Sequence, residues 1–424
     1  MNFIKNLRLK ISQKNIYQNT IFFSLALAPI GFAAGPIVME ILIFAANLSF
    51  VFLVVTRKAN FYSTKKVAVF LILYLTIIFI SSILSNSPIT SLKSGVLSVR
   101  FIIFILAGVY LLNNFKSGCK YLFYTYFFII LFFIIDAYIQ FFFGKDIFLI
   151  SPINEHIITA MFGDEKKLGS FLSRMIPVLI GLSAIFEKKK AFSISVFFIL
   201  FSLPIIFFTQ ERITLIFTLC SIIFLIAYFW NKIIQNIKKS ILYFCLLISI
   251  PVLFYNLNVI NIQNRIIDTK NQIYPIDAGE KRFVFWSIQH QSFAQTSIEI
   301  FKKNKLFGSG IKGYRENCNK IKLKYKSNCS THPHNIFFQL LSETGLIGIL
   351  LYLAILSLVL KELILFLFCK SKRAPSIFFL LSFFFYFNPI FPSGQFFNNW
   401  YMGIGTFPLI FYFYYKINKK NSLA

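Results

Sequence analysis

Only four histidines occur in 424 residues, and two of them stand in Thr331-His332-Pro333-His334-Asn335, where a long polar stretch gives way to the apolar run beginning at Ile336. Imidazole is the side chain whose ordinary pKa lies nearest neutrality, so a histidine at such a boundary suits removal of a proton from an attacking hydroxyl. His334 is the candidate general base. The plainer alternative is a loop histidine that is solvated or caps the following helix. His332 carries less of the pattern, and Asn335 reads as the N-cap of the next helix.

The elements that must position these residues are membrane helices. Hydrophobic residues make up 57% of the chain and Phe alone occurs 57 times, in runs such as Phe127-Phe128-Ile129-Ile130-Leu131-Phe132-Phe133 that are too long for strands. Apolar stretches of span length fall near 18–34, 36–56, 66–85, 95–113, 120–143, 169–186, 191–208, 212–230, 239–257, 335–360, 375–391 and 398–415. The expected fold is therefore an all-α integral membrane protein of about 12 transmembrane helices. Basic clusters mark every second connection: Lys5–Lys14, Arg57/Lys58/Lys65/Lys66, Lys116/Lys120, Lys188–Lys190, Lys232/Lys238/Lys239, Lys361/Lys370/Lys372/Arg373 and Lys416/Lys419/Lys420. By the positive-inside rule these are cytoplasmic, as are both termini, and the first helix reads as uncleaved.

Three regions follow: helices one to nine in 1–257, a large periplasmic loop in 258–334, and helices ten to twelve in 335–424. A second, smaller outer connection spans 144–168. The large loop is basic, which is permitted because long loops translocate largely regardless of charge. Within it, Lys281 to Phe301 places Phe285, Trp286, Ile288, Phe293, Ile298 and Phe301 among polar residues, predicting an amphipathic helix at the membrane interface. Cys318 and Cys329 lie eleven positions apart on the oxidising side and are candidates for a disulfide.

Composition also excludes. The 43 Lys+Arg against 15 Asp+Glu are dispersed between spans instead of forming one basic face, which argues for topology and against nucleic acid. Six cysteines without CxxC spacing give no zinc framework, and no two acids stand at Asp-x-Asp or Glu-x-Asp spacing, so no metal site or cofactor is expected. Lys320, Lys322, Lys324 and Lys326 read as a solvated charge run or as a basic strand face for anionic lipid.

His334-Asn335, nine residues, then Gly345-Leu346-Ile347-Gly348, placed at a helix start after a large loop, resembles the signature of the O-antigen ligase family of polytopic membrane glycosyltransferases. The segment Phe307-Gly308-Ser309-Gly310 resembles the same family's Phe-Gly-x-Gly element, and chain length and span layout agree. The resemblance implies a metal-independent, GT-C-like enzyme of the bacterial inner membrane with its active site facing the periplasm. It would move glycan from an undecaprenyl-diphosphate carrier to an acceptor hydroxyl, for ligases that of the lipid A-core oligosaccharide. Gly345 and Gly348 would permit close helix approach.

A diphosphate leaving group without metal calls for arginine, which is permanently charged and bidentate to phosphate. Arg212, in Thr209-Gln210-Glu211-Arg212, sits at an outer helix end, with an ion pair to Glu211 as the plainer reading. Arg174 lies two turns into a span, where a charge is a functional hypothesis by default and snorkelling the alternative. Arg282 precedes Trp286 by one turn, matching an arginine and aromatic in the family's loop, with a surface cation–π pair as its alternative. Arg315 follows the Gly308/Gly310/Gly313 cluster, and Arg100 and Arg265 are unassigned.

O-antigen polymerases are the nearest rival, but no arginine here has a glycine eleven positions later and only one loop is large. Protein O-glycosylating relatives share the ligase signature. A lipid-linked oligosaccharide flippase, of another class, would show paired halves, and no internal repeat is present.

Overall fold

The computed structural model describes residues 15–58, 65–85, 87–152, 157–238, 286–321 and 329–421, with isolated positions between 241 and 284. Among the described residues, the regular structure is helical apart from one two-residue strand pair, Ile276–Asp277 against Glu280–Lys281. The helices are α1 (Ile16–Ala34), α2 (Pro36–Val55), α3 (Lys65–Ile83), α4 (Pro88–Leu97), α5 (Val99–Asn114), α6 (Lys116–Phe143), α7 (Leu168–Phe186), α8 (Ala191–Phe208) and α9 (Arg212–Gln235). After these come α10 (Ile288–Lys303), α11 (Gly313–Asn317), α12 (Ile336–Phe368), α13 (Ile377–Tyr386), α14 (Asn399–Thr406) and α15 (Pro408–Asn421).

Among the described residues, eight helical segments are long and apolar enough to cross a membrane, with α4 and α5 forming one of them. The expected span over 239–257 lies mostly outside the described residues. Two of the others are shorter than predicted. The helix expected over 375–391 stops at Tyr386, because Pro389 disfavours helical backbone at Asn388, whose amide donates to Phe385 O and whose Oδ1 accepts from Phe391 N. The one expected over 398–415 is divided between α14 and α15 at Pro408, which has no N–H to continue the ladder.

α7 is the central helix, almost wholly buried among α6, α8, α9 and α13. Outer helices instead expose apolar side chains, such as Ile37, Ile41 and Phe44 on α2 and Leu358 on α12. Lipid tails are as apolar as leucine, so the bundle is held by close packing and internal hydrogen bonds more than by hydrophobic burial. Buried hydroxyls accordingly bond their own helix: Ser183, Ser195, Ser202, Thr214, Thr218 and Ser221 each donate to a carbonyl three or four residues back. Pro29 leaves the Leu25 carbonyl of α1 without its ladder donor, and the Tyr126 hydroxyl of α6 supplies one at 2.7 Å.

The 144–167 connection is tied to α6. Asp136 accepts from Ile147 N and Met161 N, and the Gln140 side-chain oxygen accepts from Thr159 N and Ala160 N. Ser170 of α7 donates, from both its backbone and its hydroxyl, to Glu211 at the head of α9. The helices carrying Arg174 and Arg212 are thereby registered against each other.

Candidate active site

The segment Cys329–Asn335 leads into α12, and its backbone turns sharply at His334, where φ is +52°. A left-handed conformation at a residue with a Cβ is uncommon and persists only where the surroundings hold it. Here the Ser393 N–H donates to the His334 carbonyl at 2.8 Å, Asn335 caps α12 through Phe338 N, and the Asn335 amide donates to Pro389 O. The imidazole stacks on Phe293 of α10, with ring centroids 5.3 Å apart, and its Nε2 lies 3.2 Å from Ser330 Oγ.

Two further histidines converge on it. His332 lies 4.1 Å away between ring centroids, and His290, on the first turn of α10, meets it edge-on at 6.1 Å. Ser287 caps α10, accepting from His290 N, and its hydroxyl sits 2.7 Å from His290 Nδ1. His156 lies outside the described residues. Burial pushes the His334 pKa down, and the neighbouring His290 adds to the effect. Burial, with His334 and then Arg315 contributing, takes His332 down to about 3, and His290 is lowered by burial alone. All three imidazoles are thus held neutral near pH 7, the form that accepts a proton.

The helix predicted over Lys281 to Phe301 begins later, at Ile288, because Ser287 caps it and Trp286 precedes it with φ of +67°. Its buried face is Ser292, Phe293, Thr296, Ser297 and Ile300, packed on α12, whereas Ile288 and Ile298 are exposed. Expected apolar residues are therefore split between the two faces. Trp286 reaches across instead, donating from Nε1 to Ile390 O.

α12 is not continuous. At Gly345 the backbone has φ +65° and ψ −160°, a region open only to glycine, and the ladder breaks. The freed groups are taken up by the Lys305–Gly310 loop: Ser309 N donates to Ser342 O and Gly310 N to Glu343 O, while Leu346 N and Ile347 N donate to Lys305 O and Leu306 O. A Cβ on Gly345 would stand 2.5 Å from Gly308 N and Leu306 O, and one on Gly308 2.5 Å from the Glu343 carbonyl carbon. Both glycine elements of the sequence therefore form one backbone-to-backbone joint. The close approach at Gly345 is to a loop, not to a helix, and a Cβ on Gly348 would meet the Thr344 side chain of the same helix. A second tether is the Cys318–Cys329 disulfide, which joins the short helical turn after α11 to the His334 segment.

Residues 197–353 match the family model described as O-antigen ligase. Over that span the chain is similar to the O-antigen ligase family, as the His334 to Gly348 motif suggests. No curated protein matches it. This similarity, together with the apolar helices, supports a multi-pass membrane protein with glycosyltransferase activity in the general sense. The matched span runs from α8 to the middle of α12 and takes in His290, Arg315, His332, His334, Gly345 and Gly348.

The arginines are distributed unequally around the histidines. Arg315, exposed on α11, is the one whose charge bears on His332. Arg174 is buried, its guanidinium over the rings of Phe217 and Tyr386 at 4.9 and 4.6 Å, with Nη1 donating to Ser170 O. Phe217 contacts Phe391, whose carbonyl the Asn335 amide also approaches, so Arg174 connects with the His334 segment through packed rings. Arg212 is exposed and donates to Gln272. Glu211 beside it is raised in pKa by burial and feels Arg174 as an opposing charge. Arg282 lies outside the described residues, as do Arg265 and Lys322, Lys324 and Lys326.

Sequence reading missed residues 388–398, which pass behind the histidines. Ser393 meets His334, Phe396 N donates to Gln339, and Phe391 touches Phe217 and Trp286. Its signal was the punctuation Pro389, Pro392 and Gly394 inside an otherwise apolar region.

Proposed function

We propose that the protein transfers a glycan from an undecaprenyl-diphosphate carrier to an acceptor hydroxyl, with the lipid A-core oligosaccharide as acceptor. His334 supports this reading most directly: it is the histidine of the motif, half-buried with its pKa lowered, beside two other imidazoles. The acceptor oxygen attacks the anomeric carbon of the carrier-linked sugar and gives its proton to the His334 ring. The bond from that carbon to the diphosphate oxygen breaks, its electron pair leaves with the carrier, and inversion follows from attack opposite the leaving group.

The diphosphate gains charge as it leaves, and arginines meet that charge without a metal ion. Arg315 and Arg212, both exposed, would reach it from the loop and from the head of α9, with Arg282 joining them. Arg174 would act from the bundle interior through its contacts to Phe217 and Tyr386. The setting is the bacterial inner membrane, crossed about twelve times, with both termini cytoplasmic and residues 258–334 periplasmic.

Purified protein in lipid, given undecaprenyl-diphosphate glycan and lipid A-core, tests the reading. Glycosylated lipid A-core is the expected product. A lengthened carrier-linked glycan would make the protein a polymerase, glycan on a protein acceptor would make it a protein glycosyltransferase, and movement of the lipid between leaflets without transfer would make it a flippase.

A further inference from the structure

Two fully buried polar side chains on the first turns of α12 have no part in the transfer chemistry above. Gln339 and Glu343 are each 0% exposed and stand four residues apart, on one face of the helix. The Gln339 Nε2 donates to Glu343 Oε2 at 3.1 Å, while its Oε1 accepts from Phe396 N at 2.8 Å. On the other side, Gly310 N and Ser81 Oγ donate to the Glu343 carbonyl, and its buried carboxyl lies beside the Lys312 and Tyr314 amides with Oε1 making no direct hydrogen bond.

These contacts tie two separate loops to the same turns of α12. Residues 388–398 hold His334 through Ser393 N, and residues 305–315 carry Arg315, whose charge bears on His332. A buried amide must present its oxygen to a donor and its NH2 to an acceptor, so the Phe396 N–H and the Glu343 carboxyl together admit one orientation of Gln339. Unmaking either end leaves a buried polar group without its partner, which costs more than the bond contributes when formed.

We propose that Gln339 and Glu343 are positioning residues, a polar brace that sets the spacing of the 305–315 and 388–398 loops, the second of which holds the His334 backbone through Ser393 N. Their effect on transfer rests on the function proposed above, whereas the brace itself can be tested without substrate.

Hydrogen exchange on the full-length protein in lipid nanodiscs, read by mass spectrometry, compares wild type with Gln339→Met, Glu343→Met and Glu343→Gln. Each Met variant keeps the side-chain volume and should speed exchange by about tenfold or more in both loops, the consequence of removing buried hydrogen-bond partners, with α6 and α7 unchanged. Glu343→Gln keeps an oxygen for Gln339 Nε2 and should recover most of the protection. Loosening of one loop alone, or of neither, overturns the brace.

In the transfer assay with undecaprenyl-diphosphate glycan, the Met variants should lose about tenfold in kcat with a smaller change in KM, and Glu343→Gln should recover most of it. If Glu343→Gln abolishes transfer with exchange unchanged, Glu343 acts in the chemistry and the brace is wrong. Wild type that transfers nothing sinks the functional reading, and the exchange result still decides the brace.

Discussion

At the residue scale, burial acts on the histidines in one direction. A base must be neutral to accept a proton, and the depressed pKa of His334 extends its neutral range to lower pH than an ordinary imidazole near 6.5 allows. Activity should therefore hold through the mildly acidic range and fall only once pH drops through the lowered value. His290, when protonated, opposes a second charge on His334. In His290→Asn that opposition is gone, His334 takes up a proton more readily, and the acid limb of the kcat/KM profile should move to higher pH. A limb that stays in place or moves down would separate His290 from the titrating group. His334 was legible in sequence because its motif is local. The contributions of His290 and Ser393 were not, because they lie 44 residues before and 59 after it and only folding brings them together.

At the element scale, the break in α12 is the feature on which the site's geometry depends. Sequence showed a glycine pair after the histidine and a second glycine cluster upstream, but not that the two were halves of one joint. Hydropathy treats residues 335–360 as uniform, and the φ of +65° at Gly345 leaves no trace in it. Gly345→Ala should be costly on two grounds: about 1–3 kcal/mol for a Cβ in a glycine-only conformation and a comparable amount, about 1–3 kcal/mol, for overpacking against the Leu306–Gly308 backbone. Gly348→Ala meets only the Thr344 side chain and should cost clearly less. Thermal unfolding of the two variants in detergent checks the ranking. Equal shifts in Tm would mean that the joint contributes nothing to stability.

At the scale of the whole molecule, the bundle was the most legible part, because a long apolar run has few alternatives in lipid. Most predicted spans lie within a few residues of the helices found. Exceptions cluster where Pro389 and Pro408 interrupt an apolar region, and there the short helices leave room for the loop that backs the histidines. The proposed orientation makes a direct prediction. In whole cells with a permeabilised outer membrane, Asn319→Cys, exposed next to the disulfide, should react with a membrane-impermeant maleimide. Lys189→Cys, exposed between α7 and α8, should react only after the inner membrane is opened. The reverse pattern would invert the topology and place His334 on the cytoplasmic side.

Whether His334 is the base of a metal-free transfer is decided by one comparison. Wild type, His334→Ala and Gln339→Met, each shown to be folded, are given undecaprenyl-diphosphate glycan and lipid A-core in the presence of EDTA. Wild type should transfer, Gln339→Met should lose part of the activity, and His334→Ala should lose on the order of 10²–10⁴-fold. Transfer that stops with EDTA, or that survives in His334→Ala, would contradict that role.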